Sequence, residues 1–143
     1  MDRKQVEREL SEAFGVVPEW SKVFPDDELV DFWKTVRDLE LAPTQIPAKF
    51  KALMGLAVAV ATKSANGERF HAEAARLHGA TEDEIREATL LASQSVTAAE
   101  HFNAIGLDPQ AFEHDTTEQF HHLREQMSGQ SWKPAVRASN TPA

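Results

Sequence analysis

Apolar residues return every three or four positions along most of the chain, the spacing that lines one side of an α-helix. Val6, Leu10, Ala13 and Phe14 mark a first helix, capped by Asp2 and stopped by Gly15. Pro18 opens a short helical turn through Trp20 and Val23, and Pro25-Asp26-Asp27-Glu28 sets acids at the positive end of the next helix. Leu29, Phe32, Trp33, Val36 and Leu39 give that helix a wide apolar face.

APTQIP, residues 42–47, holds two prolines and reads as a loop. Residues 48–63 then form a helix that is apolar almost all round, the pattern of a central helix that its neighbours approach closely. Asn66-Gly67 is expected to break it. A short helix from Glu68 to His78 is closed by Gly79, and Thr81-Glu82-Asp83-Glu84 is a capping-box start for a helix to about Phe102. Its buried stripe is Ile85, Ala88, Ala92, Val96 and Ala99. IGLDPQ, 105–110, breaks the pattern before a last helix to about Met127. With no strand alternation and no repeat, the pattern predicts an all-α bundle of about six to seven helices, one domain over 1–127. The tail 128–143, rich in Ser, Gly, Pro, Asn and Thr, is expected to be disordered, with Trp132 placed to tack it to a surface.

Composition narrows the partners. A net charge of −8 repels nucleic acid and anionic membranes, so neither is an expected partner. The longest apolar run, LMGLAVAVA, is about half of the ~20 residues a helix needs to span a bilayer. MDRKQVERELSEAF carries charge from its second residue and has no apolar stretch of the secretory kind, which points to a cytoplasmic address. The chain has no cysteine, and this removes disulfides, thiolate metal sites and thiol redox chemistry together.

The six histidines all fall between residues 71 and 122. Glu68-Arg69-Phe70-His71 and Glu118-Gln119-Phe120-His121 are Glu-x-x-His frames, which di-iron bundles use in pairs on facing helices. At ~100° per residue, however, His114, Glu118 and His121 lie opposite Phe112, Phe120, Leu123 and Met127 and point at water. On the helix around His71, the apolar direction is set by Phe70, Ala74 and Leu77. His71 and His78 share a line at the edge of that face, so His71 is at least half buried. Arg69 is directed ~160° from His71 and Glu68 lies round towards Arg76. A structural His71 would hydrogen-bond a carbonyl in the core. A functional one would act as general acid or base, since imidazole with an ordinary pKa of ~6.5 exists in both forms near neutrality.

KALMGLAVAVA, ERFHAEAARLHGAT and TEDEIREA, in this order and spacing, resemble the carboxymuconolactone decarboxylase and alkyl hydroperoxidase D superfamily. FGVVPEW and the Phe32-Trp33 pair resemble the lead-in of longer members, extending the likeness to about residues 10–125. The resemblance implies an alkyl hydroperoxidase D-like helical fold, no cofactor, and assembly as a trimer or hexamer with the site near a subunit interface. In the peroxidase branch a Cys-x-x-Cys pair lies seven and four positions before the histidine, and a relay glutamate lies twelve before the first cysteine. Here those positions hold Ser64, Gly67 and Ala52. A serine hydroxyl forms neither a thiolate nor a redox disulfide, so that peroxidase chemistry is excluded.

The decarboxylase branch also lacks the pair and keeps the histidine. Its reaction needs a hold on the substrate carboxylate, an apolar pocket and a proton donor. The leading expectation is thus a cofactor-free acid/base enzyme on a small carboxylated lactone or related acid, with His71 as donor and Ser64 and Glu68 as polar neighbours. Lys51, Arg76 or a neighbouring subunit remain open as the carboxylate clamp. A non-catalytic scaffold or binding module is the alternative, marked by a solid core around the imidazole. A metal site on Glu68, His71 and His78 is the third reading.

Overall fold

The computed structural model describes residues 1–129, all helix and connecting loops, with no strand among them. The expected tail lies outside the described residues except for Ser128 and Gly129, which are helical. The helices are α1 (Arg3–Phe14), α2 (Asp26–Thr35), α3 (Ala48–Ala61), α4 (Ala65–Leu77), α5 (Glu82–Ile105) and α6 (Pro109–Gly129). A 3₁₀ turn, Glu19–Val23, precedes α2, and a π-helical stretch, Val36–Leu41, follows it. No described helix is long and apolar enough to cross a membrane.

The backbone groups into two compact units, one of residues 1–96 and one that begins at residue 97, with the boundary inside α5. The first unit has two apolar clusters. In one, Val6 and Leu10 of α1 pack with Leu29 and Trp33 of α2 and with Val36, while Phe14, Trp20, Phe24 and Val30 lie at the edge. Trp33 is only 1% exposed, and its indole N–H donates to a Glu9 carboxylate oxygen at 2.7 Å, so burial leaves no unpaired donor. Arg3 ties the lead-in down by donating to Asp26 and to the carbonyls of Ser21 and Phe24. Gly15 ends α1 as expected, its φ of 75° being the left-handed conformation that costs glycine least.

In the other cluster, Ala52 and Leu56 of α3 meet Ala75 of α4 and Ile85 of α5. Small residues let these helix backbones come close. Lys49 of α3 donates to Glu84 of α5 at 2.8 Å. The capping box read from the sequence is present: Glu84 N–H donates to Thr81 Oγ1 at 3.1 Å, and Thr81 N–H to Glu84 Oε2 at 2.8 Å. In the second unit Phe102 and Phe112 rings lie 5.6 Å apart, and the apolar residues of α6 are largely exposed along with its polar ones.

Two local expectations change. Asn66-Gly67 does not break the chain; both sit in the first turn of α4. The reversal falls at Lys63, with φ 55°, and Ser64 caps α4, its Oγ accepting from Gly67 N–H at 3.1 Å. The serine cap outcompetes the Asn-Gly turn signal because it satisfies an N–H of the new helix. Leu39 does not extend the α2 face: it is 57% exposed. The wider π-helical turn after Val36 changes the angular step and carries Leu39 and Glu40 off the face that packs on α1.

Candidate functional site

His71 projects from α4 against α3 where α3 carries Gly55. A β-carbon placed on Gly55 would lie 2.3 Å from His71 Nδ1, 2.4 Å from Cε1 and 2.8 Å from Cγ. The imidazole therefore occupies the space a side chain at position 55 would fill. These three distances put the added carbon above the plane of the ring, so the imidazole lies face-on against α3 at Gly55. Phe70 meets the ring edge-on, with centroids 5.2 Å apart. A glycine in the middle of a helix costs about 1 kcal/mol relative to alanine. That cost is offset here by a defined seat for the ring.

His71 is half-buried. It makes no hydrogen bond or ion pair with any other described residue, so the carbonyl-bonded structural histidine is not what the fold contains. Instead it forms part of the wall of two cavities. The larger, about 580 Å³, runs along α3 past Met54, Gly55, Val58 and Ala59 and is bounded by Leu39, Glu40, Thr44, Ile46 and Lys51. The smaller, about 360 Å³, is bounded by Phe14, Trp20, Phe24, Phe32, Val36 and Phe70. Glu40, Ser64, Gly67 and His71 line both. The imidazole thus stands between an aliphatic cavity and an aromatic one, both open to solvent.

Of the residues singled out from the sequence, the fold brings Ser64 and His71 together on these walls. Ser64 Oγ accepts the Gly67 N–H and keeps its own proton for another acceptor. Glu68 is half-buried and lines neither cavity. Among the clamp candidates, Arg76 is turned to Glu82, with bonds of 2.6 and 3.1 Å, and to Glu73 at 2.8 Å, and lines neither cavity. Lys51 lines the larger one, its Nζ donating to the carbonyls of Leu39 at 2.6 Å and Ala42 at 2.9 Å. Ala52, at the position of the peroxidase relay glutamate, is core.

Glu40 escaped sequence reasoning. It lies in the π-helical stretch Val36–Leu41 and lines both cavities. Among the described residues no three histidine or carboxylate groups gather closely enough to hold a metal ion. His101 bonds the Thr97 carbonyl at 2.8 Å, His122 bonds Gln126, and His121 lies 3.8 Å from Glu125, all exposed on their own helices.

The Carboxymuconolactone decarboxylase family model matches residues 27–105, more than half of the chain. That span runs from the second residue of α2 to the end of α5 and includes His71, Gly55, Lys51 and Ser64. Comparison with curated proteins and with solved structures finds no match.

Proposed function

This chain belongs to the carboxymuconolactone decarboxylase family, and we propose that it is a cofactor-independent acid/base enzyme acting on a carboxylated lactone or related organic acid. The supporting observation is the imidazole of His71, seated on Gly55, without a hydrogen bond to any other described residue, and forming a wall common to two open cavities. A pocket of ~300–1,000 Å³ with apolar walls and few polar groups is the ordinary form of a small-molecule site.

In the proposed step the bond between the lactone carbon and its carboxylate breaks and carbon dioxide leaves. The electron pair passes into the lactone as an enolate, and protonated His71 delivers a ring N–H proton to the carbon. Neutral His71 then regains a proton from water. Met54, Val58 and Ile46 favour this direction, because an apolar wall penalises a localised carboxylate more than a spread anion. Ser64 is proposed to donate its free hydroxyl proton to a substrate oxygen. Glu68, outside both cavities, has no part in the step. With no cysteine in the chain, the site transfers protons and performs no thiol redox step.

The proposal extends to self-association, since Leu77, Leu90 and Leu91 are apolar and exposed on the single chain. The test is turnover of a panel of carboxylated lactones and β-keto acids by native protein and His71→Ala. Loss of ~10²–10⁴-fold with helicity unchanged is expected of a general acid; an active His71→Ala protein refutes the assignment.

A further inference from the structure

The two cavities differ in chemistry on either side of one imidazole. Among the described residues Lys51 is the only lysine or arginine lining either of them, in a chain whose net charge of −8 otherwise repels anions. An ammonium has three N–H groups; the carbonyls of Leu39 and Ala42 take two, which fixes the head and leaves one to donate. The other cavity has no lysine or arginine among the described residues and is walled by an aromatic group: Phe24 and Phe32 stack at 4.8 Å, and Trp20 stands edge-on to both at 6.3 and 5.4 Å. Phe32 is 41% exposed in spite of its size. A dry cavity of ~150 Å³ holds one benzene ring, so about 360 Å³ has room for a ring or a fused pair. Glu40, on the wall common to both, repels an anion placed at the junction and favours one drawn away to Lys51.

We propose that the two cavities form one bipartite site for an aryl-bearing carboxylic acid, with the carboxylate on Lys51, the flat ring among Trp20, Phe24 and Phe32, and the intervening carbon chain beside His71. This rests on the proposed acid/base role only for what happens after binding; occupancy of the site does not require turnover.

The experiment therefore measures binding, in native protein and in His71→Ala, by Trp20 fluorescence and calorimetry. The probes are ω-phenylalkanoates of increasing chain length, their primary amides, and straight-chain alkanoates of equal carbon number. A charge-assisted bond to Lys51 gives the acid an advantage of about tenfold over its amide. That ratio is expected to fall below twofold in Lys51→Met and to return in Lys51→Arg, whereas a lysine that merely tethers the loop weakens acid and amide alike. Glu40→Gln is expected to raise acid affinity without altering amide affinity, a readout that survives if Lys51→Met fails to fold. Phe32→Ala is expected to erase the preference for phenyl over alkyl probes. Equal binding of acid and amide, an unchanged ratio in Lys51→Met, or an unchanged phenyl preference in Phe32→Ala overturns the proposal. So does no binding of any probe, the result if a second copy fills the cavities. These probes carry no lactone or β-keto group to accept the electron pair of a departing carboxylate, so their binding stands or falls independently of the turnover panel that tests the enzymatic reading.

Discussion

Gly55→Ala separates the stability of the fold from the placement of its imidazole. The added methyl would sit 2.3 Å from His71 Nδ1, where ordinary contact begins at 3.4 Å, so the ring has to withdraw by about 1 Å. Two stability effects oppose each other. Alanine gains about 1 kcal/mol over glycine inside a helix, and forcing the His71 side chain ~30° off its rotamer costs about 0.5–1.5 kcal/mol. The net is expected to stay within about 1 kcal/mol, a melting shift of no more than ~2–4 °C for a domain of this size. Catalysis has no such compensation, since a misplacement of about 1 Å at a reacting group costs ~10²-fold. The assay pairs circular dichroism melts with long-range ¹H–¹⁵N spectra of the His71 ring, identified by its absence in His71→Ala, and, under the proposed function, with turnover of an acid that the native protein converts. Gly55→Val is expected to move the ring signals further than Gly55→Ala. Unmoved ring signals, or a Gly55→Ala protein that unfolds by several kcal/mol, would refute the seat described for this ring.

Acid is expected to destabilise the fold through named carboxylates. Glu9 is held below its ordinary range chiefly by the Trp33 indole N–H, with Arg37 adding to it, and Glu84 chiefly by Lys49 and then by the Thr81 N–H. Because these folded-state values are lowered, their stabilisation is full above the ordinary carboxylate pKa of ~4.3 and is lost as pH falls through the lowered values. Melting temperature should hold from pH 7 to about 5 and fall below it, and Glu84→Gln should flatten that fall; an unchanged acid slope would count against the Lys49–Glu84 pair. Thr81→Ala, which removes the acceptor of the Glu84 N–H, should cost about 1 kcal/mol in denaturant titration, and a neutral result would mean that α5 does not depend on its cap.

What could be read from the chain was local. Asp2, Gly15 and the Thr81-Glu84 box act within a few residues of themselves, and their geometry follows their spacing. The half-burial of His71 was also legible, because a helical wheel needs only its own helix. The start of α4 was misplaced because Asn66-Gly67 is a strong turn pair, while the decisive left-handed backbone sits on Lys63, a residue that does not advertise it. The seat on Gly55, the place of Glu40 on the cavity walls and the tether of Lys51 all join residues on different elements. No periodicity within one helix encodes such meetings, so the cavities, and the choice of Lys51 over Arg76 as the cation beside His71, required the fold.

Chemical rescue tests whether the ring between the cavities carries the proton. Replacing His71 with alanine empties an imidazole-sized space on the wall of both cavities, open to solvent. Turnover by His71→Ala should be lost and should then rise in proportion to added imidazole, while N-methylpyrrole, of similar shape but without a basic nitrogen, should restore nothing. Full activity of His71→Ala without any additive, or equal restoration by both compounds, would contradict proton transfer by His71.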